Sequence, residues 1–386
     1  MIAPGVPEGI AQPTDVPSRV WPFVCTNCGR HAPAGQLVYH CPTCGGVFDL
    51  DAPIPYAPSR PASDRGGLAR FRSSFPFGGD IPWITLGEGG TPLIASEIDH
   101  RTVHFKCEHL NPTGSFKDRG ASVLVSALAA AGVVEAIEDS SGNAGAAFAA
   151  YAARAGIRAR VFVPDGASPR KRAQIAAYGA EIVRLLGPRS QVAEAVRREA
   201  DAGAVYASHI WLPFGLAGFA TLAFELVEQL GEVPGAVLLP AGHGTLVLGL
   251  SRGFAAMQTA GAIDRVPKLI AAQAAACAPL WAAHQAGGQA VAWVQEGETR
   301  AEGIRILQPL RGDAVLKAVE ASRGTIVAVD EPTIVRGEAE LARRGFFIEP
   351  TSAVVWGALE ASLRSLPDPV VAILTGSGLK SEPSSG

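Results

Sequence analysis

The sequence predicts an α/β protein with mostly parallel sheets. From about residue 100 onward, short apolar runs typical of strands alternate with alanine-rich stretches typical of helices. Parallel strands need a crossover between them, so this alternation indicates parallel sheets that helices cover on both faces. The 386 residues are enough for two lobes, and the 44 glycines and 29 prolines are enough to join many short elements by tight turns.

The predicted elements follow from where the apolar runs begin and end. The candidate strands are residues 103–106, 136–139, 160–163, 182–185, 236–240, 269–272, 325–329 and 370–374. The candidate helices between them are residues 115–131, 144–155, 169–178, 190–202, 216–230 and 245–259. Residues 51–80 are rich in proline and glycine and have no regular period, which indicates a linker.

Composition and charge argue against several classes of function. No run of 18 apolar residues is present, so the sequence predicts no membrane span. Residues 1–20 lack the cationic and apolar regions of a signal peptide, so we expect a flexible leader on a cytoplasmic protein. The formal net charge of −3 offers no electrostatic basis for binding nucleic acid or an anionic membrane.

Two CxxC pairs near the N-terminus indicate a metal site. Cys25 and Cys28 are followed, after twelve residues, by Cys41 and Cys44, and we expect residues 21–52 to form a zinc ribbon. Four thiolates suit tetrahedral zinc and leave no open position, so the metal would be structural. Free thiols without a metal are the alternative. The segment 21–50 has one arginine and no lysine, so it offers no patch for nucleic-acid phosphates.

A candidate nucleophile lies in the decapeptide NPTGSFKDRG, residues 111–120. Its proline and glycine predict a turn, and Ser115 with Asp118 has the spacing of a capping box at a helix start. Lys117 would then lie in the first helical turn, where the positive end of the helix dipole lowers the pKa of its amine. Such an amine can form a Schiff base with an aldehyde. The alternative is a solvated lysine on a helix surface.

Two glycine-containing turns each join a predicted strand to a predicted helix. In SSGNAG, residues 140–145, backbone amides and hydroxyls at a helix N-terminus suit a carboxylate. GHGT, residues 242–245, follows an apolar strand and precedes a helix. Each motif alone is also compatible with an ordinary strand-to-helix turn.

Together these motifs resemble those of the fold-type II pyridoxal phosphate (PLP) enzymes: threonine synthase, serine and threonine dehydratases, and the tryptophan synthase β subunit. The similarity extends over about residues 20–380 and is closest to threonine synthases and their relatives, many of which carry a leading four-cysteine ribbon. It implies two lobes, each with a mostly parallel sheet covered by helices, and PLP between them. The catalytic domain would span residues 53–380, with a smaller lobe at about 118–215 inserted in the larger one, and a tail at 381–386.

The resemblance also implies roles for individual residues. Lys117 would be the Schiff-base lysine, and Asn143 would contact the ring oxygen of the cofactor. The cofactor phosphate would be held by Gly242, His243, Gly244 and Thr245. The substrate would be held by Ser140, Ser141, Gly142, Asn143 and Ala144. The hydroxyl of Thr375, with that of Ser377 in reserve, would meet the pyridine nitrogen. Gly303 would let the chain pass close to the ring, unless it is an ordinary loop glycine.

One region departs from the threonine synthase pattern. Threonine synthases that take O-phosphohomoserine typically have an Asn-Ser-x-Asn-Pro-x-Arg stretch that helps to bind the substrate phosphate. Here Leu212 occupies the position of the second asparagine, and Gly215 occupies the position of the arginine. In the SSGNAG turn, Ala144 occupies a position where a threonine is usual. The candidate replacement cations are Arg170, Lys171 and Arg172.

Three functions remain open on the sequence. The first is a threonine synthase-like PLP-dependent lyase or synthase that acts on an amino acid with a β- or γ-leaving group. The second is a serine or threonine dehydratase, and the third is a non-catalytic PLP-binding regulatory protein. We expect a small amino-acid substrate and no nucleic-acid or membrane partner, and a homodimer is compatible with each function.

Overall fold

The computed structural model describes residues 23–57, 67–75, 81–140, 142–187, 189–288 and 290–381. The predicted leader, most of the predicted tail and parts of the predicted linker lie outside the described residues. Within the described part of the chain, no helix is long and apolar enough to cross a membrane.

Eleven strands are found in the described residues: β1 (Phe23–Cys25), β2 (Phe48–Leu50), β3 (Leu93–Ile98), β4 (Arg101–Lys106), β5 (Glu135–Glu138), β6 (Arg158–Pro164), β7 (Glu181–Leu185), β8 (Ala236–Pro240), β9 (Lys268–Ala274), β10 (Thr325–Val329) and β11 (Val370–Ile373). Ten α-helices accompany them in the same ranges: α1 (Lys117–Ala130), α2 (Asn143–Ala155), α3 (Pro169–Ala177), α4 (Arg189–Asp201), α5 (Phe214–Leu230), α6 (Thr245–Thr259), α7 (Pro279–Gln285), α8 (Gly312–Ala321), α9 (Glu331–Arg343) and α10 (Pro350–Ser362).

The strands form one mostly parallel sheet, one fully parallel sheet and one two-stranded antiparallel sheet. The larger sheet has six strands in the order β10-β9-β8-β11-β4-β3, and all neighbours are parallel except β3 and β4. The smaller sheet, β5-β6-β7, is fully parallel, and β1 pairs with β2 antiparallel. The prediction of an α/β fold with mostly parallel sheets is therefore confirmed.

The central strands of the larger sheet are buried on both faces. In β8, Val237 and Leu239 face the cluster that contains α1, α5 and α6, whereas Ala236 and Leu238 face the cluster that contains α10. This alternation follows the two-residue period of a strand. Apolar side chains on both faces explain why the central strands are continuous apolar runs in the sequence.

Most predicted elements agree with the structure. All eight predicted strands and all six predicted helices are present, with ends within two residues of those expected. The strands β1, β2 and β3 and the helices α7 to α10 were not among the elements given from the sequence. Of these, β3 pairs with β4 through a two-residue turn. Asp99 and His100 occupy that turn with φ of 48° and 61°, the left-handed conformation that such a hairpin requires.

The four-cysteine segment packs against the body of the protein. Phe23 of β1 and Phe48 of β2 are fully buried in the same cluster as α5 and α6, and the ring of Phe23 lies 4.7 Å from that of Phe214. Arg311 donates hydrogen bonds to the carbonyl oxygens of Phe48 and Trp211, at 2.7 and 3.0 Å. The segment is thereby joined to residues just before α5.

Candidate active site

The turn before α1 is fixed by the end of β11. The Phe116 amide donates to the Thr375 carbonyl oxygen at 3.0 Å, and Ser115 forms a bridge with Gly376. The predicted capping box is wrong, because α1 begins at Lys117 and has no side-chain cap. The Asp118 carboxylate instead accepts from the amide and hydroxyl of Thr113, and the Ser115 hydroxyl has no partner among the described residues.

Lys117 is the first residue of α1, as expected, and its amine lies in a buried environment. Its Nζ forms no hydrogen bond or ion pair with any residue that the structure describes, and it lies 4.9 Å from the centre of the Phe116 ring. Burial lowers the pKa of the amine from 10.5 to about 8, while the carboxylates of Glu138 and Glu349 oppose this shift and Arg189 adds to it. Burial, and not the helix dipole alone, thus accounts for the low pKa.

A cavity opens beside Lys117. Its polar lining consists of Lys117, Glu138 and His209. Its apolar lining consists of Ala121, Leu124, Ala144, Phe148, Ala207 and Phe219. These side chains come from α1, α2 and α5, from the end of β5, and from the segment after α4. The cavity is therefore formed where the smaller sheet meets the helices of the larger one.

Asn143 begins α2 and faces a carboxylate. Its Nδ2 donates to Oε1 and Oε2 of Glu349 at 2.9 and 3.0 Å, and its Oδ1 has no partner among the described residues. Gly145 is required here because a Cβ would overlap the Ser140 carbonyl oxygen. Ser140 is buried and its hydroxyl accepts from the Gly142 amide at 3.3 Å. Ser141 lies outside the described residues.

The GHGT turn lies between β8 and α6. Gly244 has φ +76°, and α6 begins at Thr245, so the first amide groups of a 15-residue helix have no intrahelical acceptor. His243 Nδ1 has no partner in the described part of the chain, and burial lowers the pKa of its imidazole well below its usual range, with Arg189 and Lys117 adding to the effect. This turn can hold an anion such as a phosphate.

Residues 349–352, at the start of α10, connect the separate motifs. Glu349 accepts from Asn143, Thr351 Oγ1 accepts from the Gly303 amide at 3.1 Å, and Ser352 Oγ lies 3.0 Å from Thr375 Oγ1. A Cβ on Gly242 would lie 3.2 Å from the Gly303 carbonyl oxygen, so Gly303 packs against the GHGT turn. The structure therefore brings the decapeptide, SSGNAG, GHGT, Gly303 and Thr375 around one site.

The two candidate hydroxyls differ in their environment. Thr375 is buried beside Ser352, whereas Ser377 Oγ accepts from the Leu379 amide at 3.3 Å and so belongs to a local turn. The sequence reasoning missed Glu138, Glu349 and Ser352. Glu138 is one of three acids at residues 135–139, and nothing in their spacing distinguishes it. Glu349 has no acid or cation close to it in sequence, although Pro350 at the start of α10 was a signal for a helix there.

The polar groups of this site fit PLP. Lys117 offers an unpaired amine for the aldehyde, the start of α6 offers amides for the phosphate, and Asn143 and Thr375 offer polar atoms for the ring. Neither Leu212 nor Gly215 adds a polar group to it: Leu212 is buried, and a Cβ on Gly215 would lie 3.4 Å from Cα of Gly120.

Comparison with known proteins identifies the class. Residues 84–376 match the family described as "Pyridoxal-phosphate dependent enzyme", and the chain belongs to this family. It is 31% identical to a threonine synthase of Methanocaldococcus jannaschii over 373 residues, which cover 92% of each chain. It is 36% identical to a threonine synthase of Mycobacterium leprae over 326 residues, which cover 82% of this chain and 88% of the relative.

Solved structures agree with this assignment. A T.th. threonine deaminase superimposes with a TM-score of 0.65 at 28% identity, covering 77% of this chain and 94% of the other. Maize serine racemase superimposes with a TM-score of 0.65 at 25% identity, covering 75% and 88%. The protein is a fold-type II PLP-dependent lyase or synthase of amino-acid metabolism, similar to threonine synthases. The non-catalytic and dehydratase alternatives are not favoured by these relatives.

The four cysteines of the N-terminal segment lie close together. Their Sγ atoms are all within 4.8 Å of one another, with Cys25 and Cys44 at 3.5 Å and Cys28 and Cys41 at 3.7 Å. In a tetrahedral site with Zn–S bonds of about 2.3 Å, sulfur atoms lie about 3.8 Å apart. The cluster is therefore compatible with zinc.

Proposed function

We propose that the protein eliminates or replaces a β- or γ-substituent of an amino acid, with Lys117 as the residue that carries PLP. The observation that carries this proposal is the unpaired Lys117 amine in the lining of the cavity; Lys117 lies two residues after Ser115, which forms a backbone bridge with Gly376 next to Thr375. In this proposal Asn143 meets the ring oxygen, Thr375 the ring nitrogen with Ser377 in reserve, and Gly303 allows close approach to the ring. The phosphate contacts are Gly242, His243, Gly244 and Thr245.

Lys117 would also move the α-proton. PLP, when bound, withdraws electrons from Cα and so acidifies its proton. The pKa of about 8 means that the Lys117 amine is partly unprotonated near neutral pH, as a base requires. The turn of Ser140, Ser141, Gly142, Asn143 and Ala144 would hold the substrate carboxylate at the start of α2 and thereby direct the α-proton toward Lys117.

The leaving group is proposed to be smaller or less charged than phosphate. The relatives are named threonine synthases, which makes threonine formation from O-phosphohomoserine the first candidate. Among the cavity residues, however, Lys117 is the one cation. Of the candidate replacement cations, Arg170 and Arg172 donate to surface carbonyl oxygens, and Lys171 lies 3.9 Å from Glu349.

Steady-state kinetics test this function. We would measure kcat/KM for O-phosphohomoserine beside serine, threonine and O-acetylated or O-succinylated analogues. The missing anchors should cost O-phosphohomoserine at least about tenfold in kcat/KM, equivalent to about 1.4 kcal/mol of transition-state stabilisation. Efficient threonine formation from O-phosphohomoserine, with negligible turnover of the other compounds, would contradict the proposed leaving group.

We also infer a structural zinc ion on Cys25, Cys28, Cys41 and Cys44. Supporting observations are the sulfur distances and the burial of Cys25 and Cys41. The division into a ribbon at 21–52 and a catalytic domain at 53–380, with a smaller lobe at about 118–215, stays a prediction, and the three-stranded sheet at residues 135–185 supports it. A cytoplasmic location and a homodimer likewise stay predictions.

A further inference from the structure

Arg311 is a buried arginine that reaches the wall of the candidate active site from outside it. It immediately precedes α8 and is 5% exposed. Its Nε donates to the Ile210 carbonyl oxygen at 3.2 Å, and its Nη2 donates to those of Trp211 and Phe48 at 3.0 and 2.7 Å. A buried guanidinium needs such acceptors, because an unpaired charge in the interior costs much free energy. One side chain thus joins β2, the segment before α5 and the start of α8.

The guanidinium of Arg311 is itself held in place. Asp49 of β2 accepts from both terminal nitrogens of Arg252 at 2.7 and 2.6 Å, and its Oδ2 lies 3.6 Å from Nη1 of Arg311. Burial lowers the pKa of Arg311 to about 10, while the Asp49 charge opposes this shift and the Arg252 charge adds to it. Arg311 therefore stays charged near neutral pH and keeps all of its donors.

The segment of residues 207–212 carries two residues of the cavity lining, Ala207 and His209. At its start, the Ala207 amide donates to the Ile137 carbonyl oxygen of β5 at 2.8 Å. Near its end, the carbonyl oxygens of the two residues that follow His209 accept from Arg311. His209 therefore lies between an attachment to the smaller sheet and an attachment to Arg311.

Hydrogen bonds within this segment hold its turn only in part. The Leu212 amide donates to the Ser208 carbonyl oxygen at 3.0 Å. The amides of Ile210 and Trp211 lie 3.4 Å from the Ser208 hydroxyl oxygen, which is longer than the usual distance of about 2.9–3.0 Å. The Trp211 ring packs edge-on against that of Tyr39, at 5.4 Å between centres. The conformation of the turn thus depends on contacts with Arg311 and the four-cysteine segment.

We propose that Arg311 is a positioning residue, which holds His209 in the wall of the substrate cavity by binding the two carbonyl oxygens that follow it. This inference rests on the proposed function, because it takes the cavity beside Lys117 as the place of the substrate. The planar guanidinium donates in fixed directions from Nε and Nη2, which a flexible ammonium does not reproduce. A displacement of about 1 Å in such a wall can lower the rate about 100-fold, although Arg311 touches no reacting atom.

Two arginine variants of the holoenzyme separate positioning from stability. Arg311→Met removes the donors to the turn. Arg252→Met is the matched control, since Arg252 also holds Asp49 of the four-cysteine segment but donates no hydrogen bond to residues 207–212 in the described part of the chain. Both variants should lower the melting temperature.

The kinetic measurement uses whichever amino acid named under the proposed function the wild type turns over fastest. Rates are taken well below the melting temperatures and per mole of bound PLP. We expect Arg311→Met to lower kcat/KM at least about tenfold, and Arg252→Met less than about threefold. A merely structural role would lower the melting temperature and leave kcat/KM per bound PLP unchanged.

Hydrogen exchange followed by mass spectrometry tests the position of the turn directly. In Arg311→Met the amides of residues 210–212 should exchange at least about tenfold faster than in the wild type, as expected when about one hydrogen bond no longer opposes local opening. In Arg252→Met their exchange should be unchanged. If Arg311→Met does not fold, Arg311→Lys keeps a charge beside Asp49 and should show the same pattern, with a loss of at least about threefold in kcat/KM.

The outcomes distinguish this inference from the proposed function. Unchanged kcat/KM per bound PLP in the Arg311 variant, equal losses in the Arg311 and Arg252 variants, or unchanged exchange at residues 210–212 would overturn the role of Arg311 alone. A wild type that turns over none of the amino acids tested would overturn the proposed function, and the exchange rates would still decide whether Arg311 holds the turn.

Discussion

The side-chain amide of Asn143 donates hydrogen bonds to both carboxylate oxygens of Glu349 at the centre of the site. The two hydrogen bonds measure 2.9 and 3.0 Å, although 206 residues separate the two side chains in sequence. Glu349 is 3% exposed, and its backbone amide donates to the Gly376 carbonyl oxygen at 2.9 Å. Glu349 thus orients Asn143 and contacts the turn of Thr375 at the same time.

Replacing Glu349 by glutamine should lower the pKa of Lys117 further. Burial sets this pKa at about 8, and the Glu349 charge opposes the lowering, so its removal favours the unprotonated amine. The amine reacts only when unprotonated, so the rate of acetylation of Lys117 in the cofactor-free protein should increase with pH, with its midpoint near pH 8. In Glu349→Gln the midpoint of this increase should lie at a lower pH. Mass spectrometry measures this rate, with exposed Lys317 as the internal control. An unchanged or higher midpoint would contradict the contribution of Glu349.

Local sequence signals predicted the elements of the larger sheet well. β8 and α6 were predicted at their observed bounds, because an apolar run, a glycine turn and a helical run follow one another there. β3 was missed because it is an edge strand with several exposed side chains, so its hydrophobic pattern is weak. The hydrophobic pattern of a strand is clear in the sequence only where its side chains are buried, as in β8, and is weak where they are exposed, as in β3.

The candidate site was predicted only as far as its motifs are contiguous. Lys117 and the GHGT turn each follow from a local run of residues, whereas Glu349 reaches Asn143 only through the fold. The capping box failed for one local and one tertiary reason: Thr113, five residues before Asp118, supplies donors to its carboxylate, and the turn after β11 contacts the chain where α1 begins. Spacing alone does not encode such long-range competition.

Lys117→Ala should abolish covalent attachment of PLP and the visible absorbance that accompanies it. No other lysine lines the cavity, so no second amine can take its place. Absorbance spectra and intact-protein mass after borohydride reduction measure the attachment. Lys317→Ala, an exposed substitution on α8, should keep both colour and turnover. A Lys117→Ala protein that retained colour and turnover would show that another residue carries the cofactor.

Loss of the proposed zinc ion should reduce stability before it reduces the chemistry of the folded enzyme. The proposed zinc ion would hold the four sulfur atoms together and so fix the segment that buries Phe23 and Phe48. Chelation or Cys41→Ser removes this cross-link and should therefore lower the melting temperature. Zinc content, melting temperature and kcat are measured together. Cys277→Ala, outside the cluster, should keep the full zinc content. Loss of kcat at an unchanged melting temperature would indicate a catalytic metal instead.

Arg119 is the residue whose loss should destabilise the fold most directly. Its guanidinium lies between the carboxylates of Glu108 and Glu225, with contacts of 2.7 to 2.9 Å, and all three side chains are fully buried. Burial alone would raise the pKa of Glu225, but Arg119 and Lys106 outweigh it and hold that pKa well below its usual range. The cluster joins α1 to α5 close to Lys117.

Arg119→Met should therefore lower the free energy of unfolding by about 3–5 kcal/mol, because it leaves two buried carboxylates with Lys106 as the one remaining cation of the cluster. Urea denaturation followed by circular dichroism measures the loss. Arg198→Met is the matched control, since Arg198 forms an exposed pair with Glu194 and should cost no more than about 0.5 kcal/mol. Equal losses of unfolding free energy in Arg119→Met and Arg198→Met would contradict this prediction. They would mean that the buried Arg119 cluster contributes no more than an exposed ion pair, and that apolar packing alone holds α1 against α5.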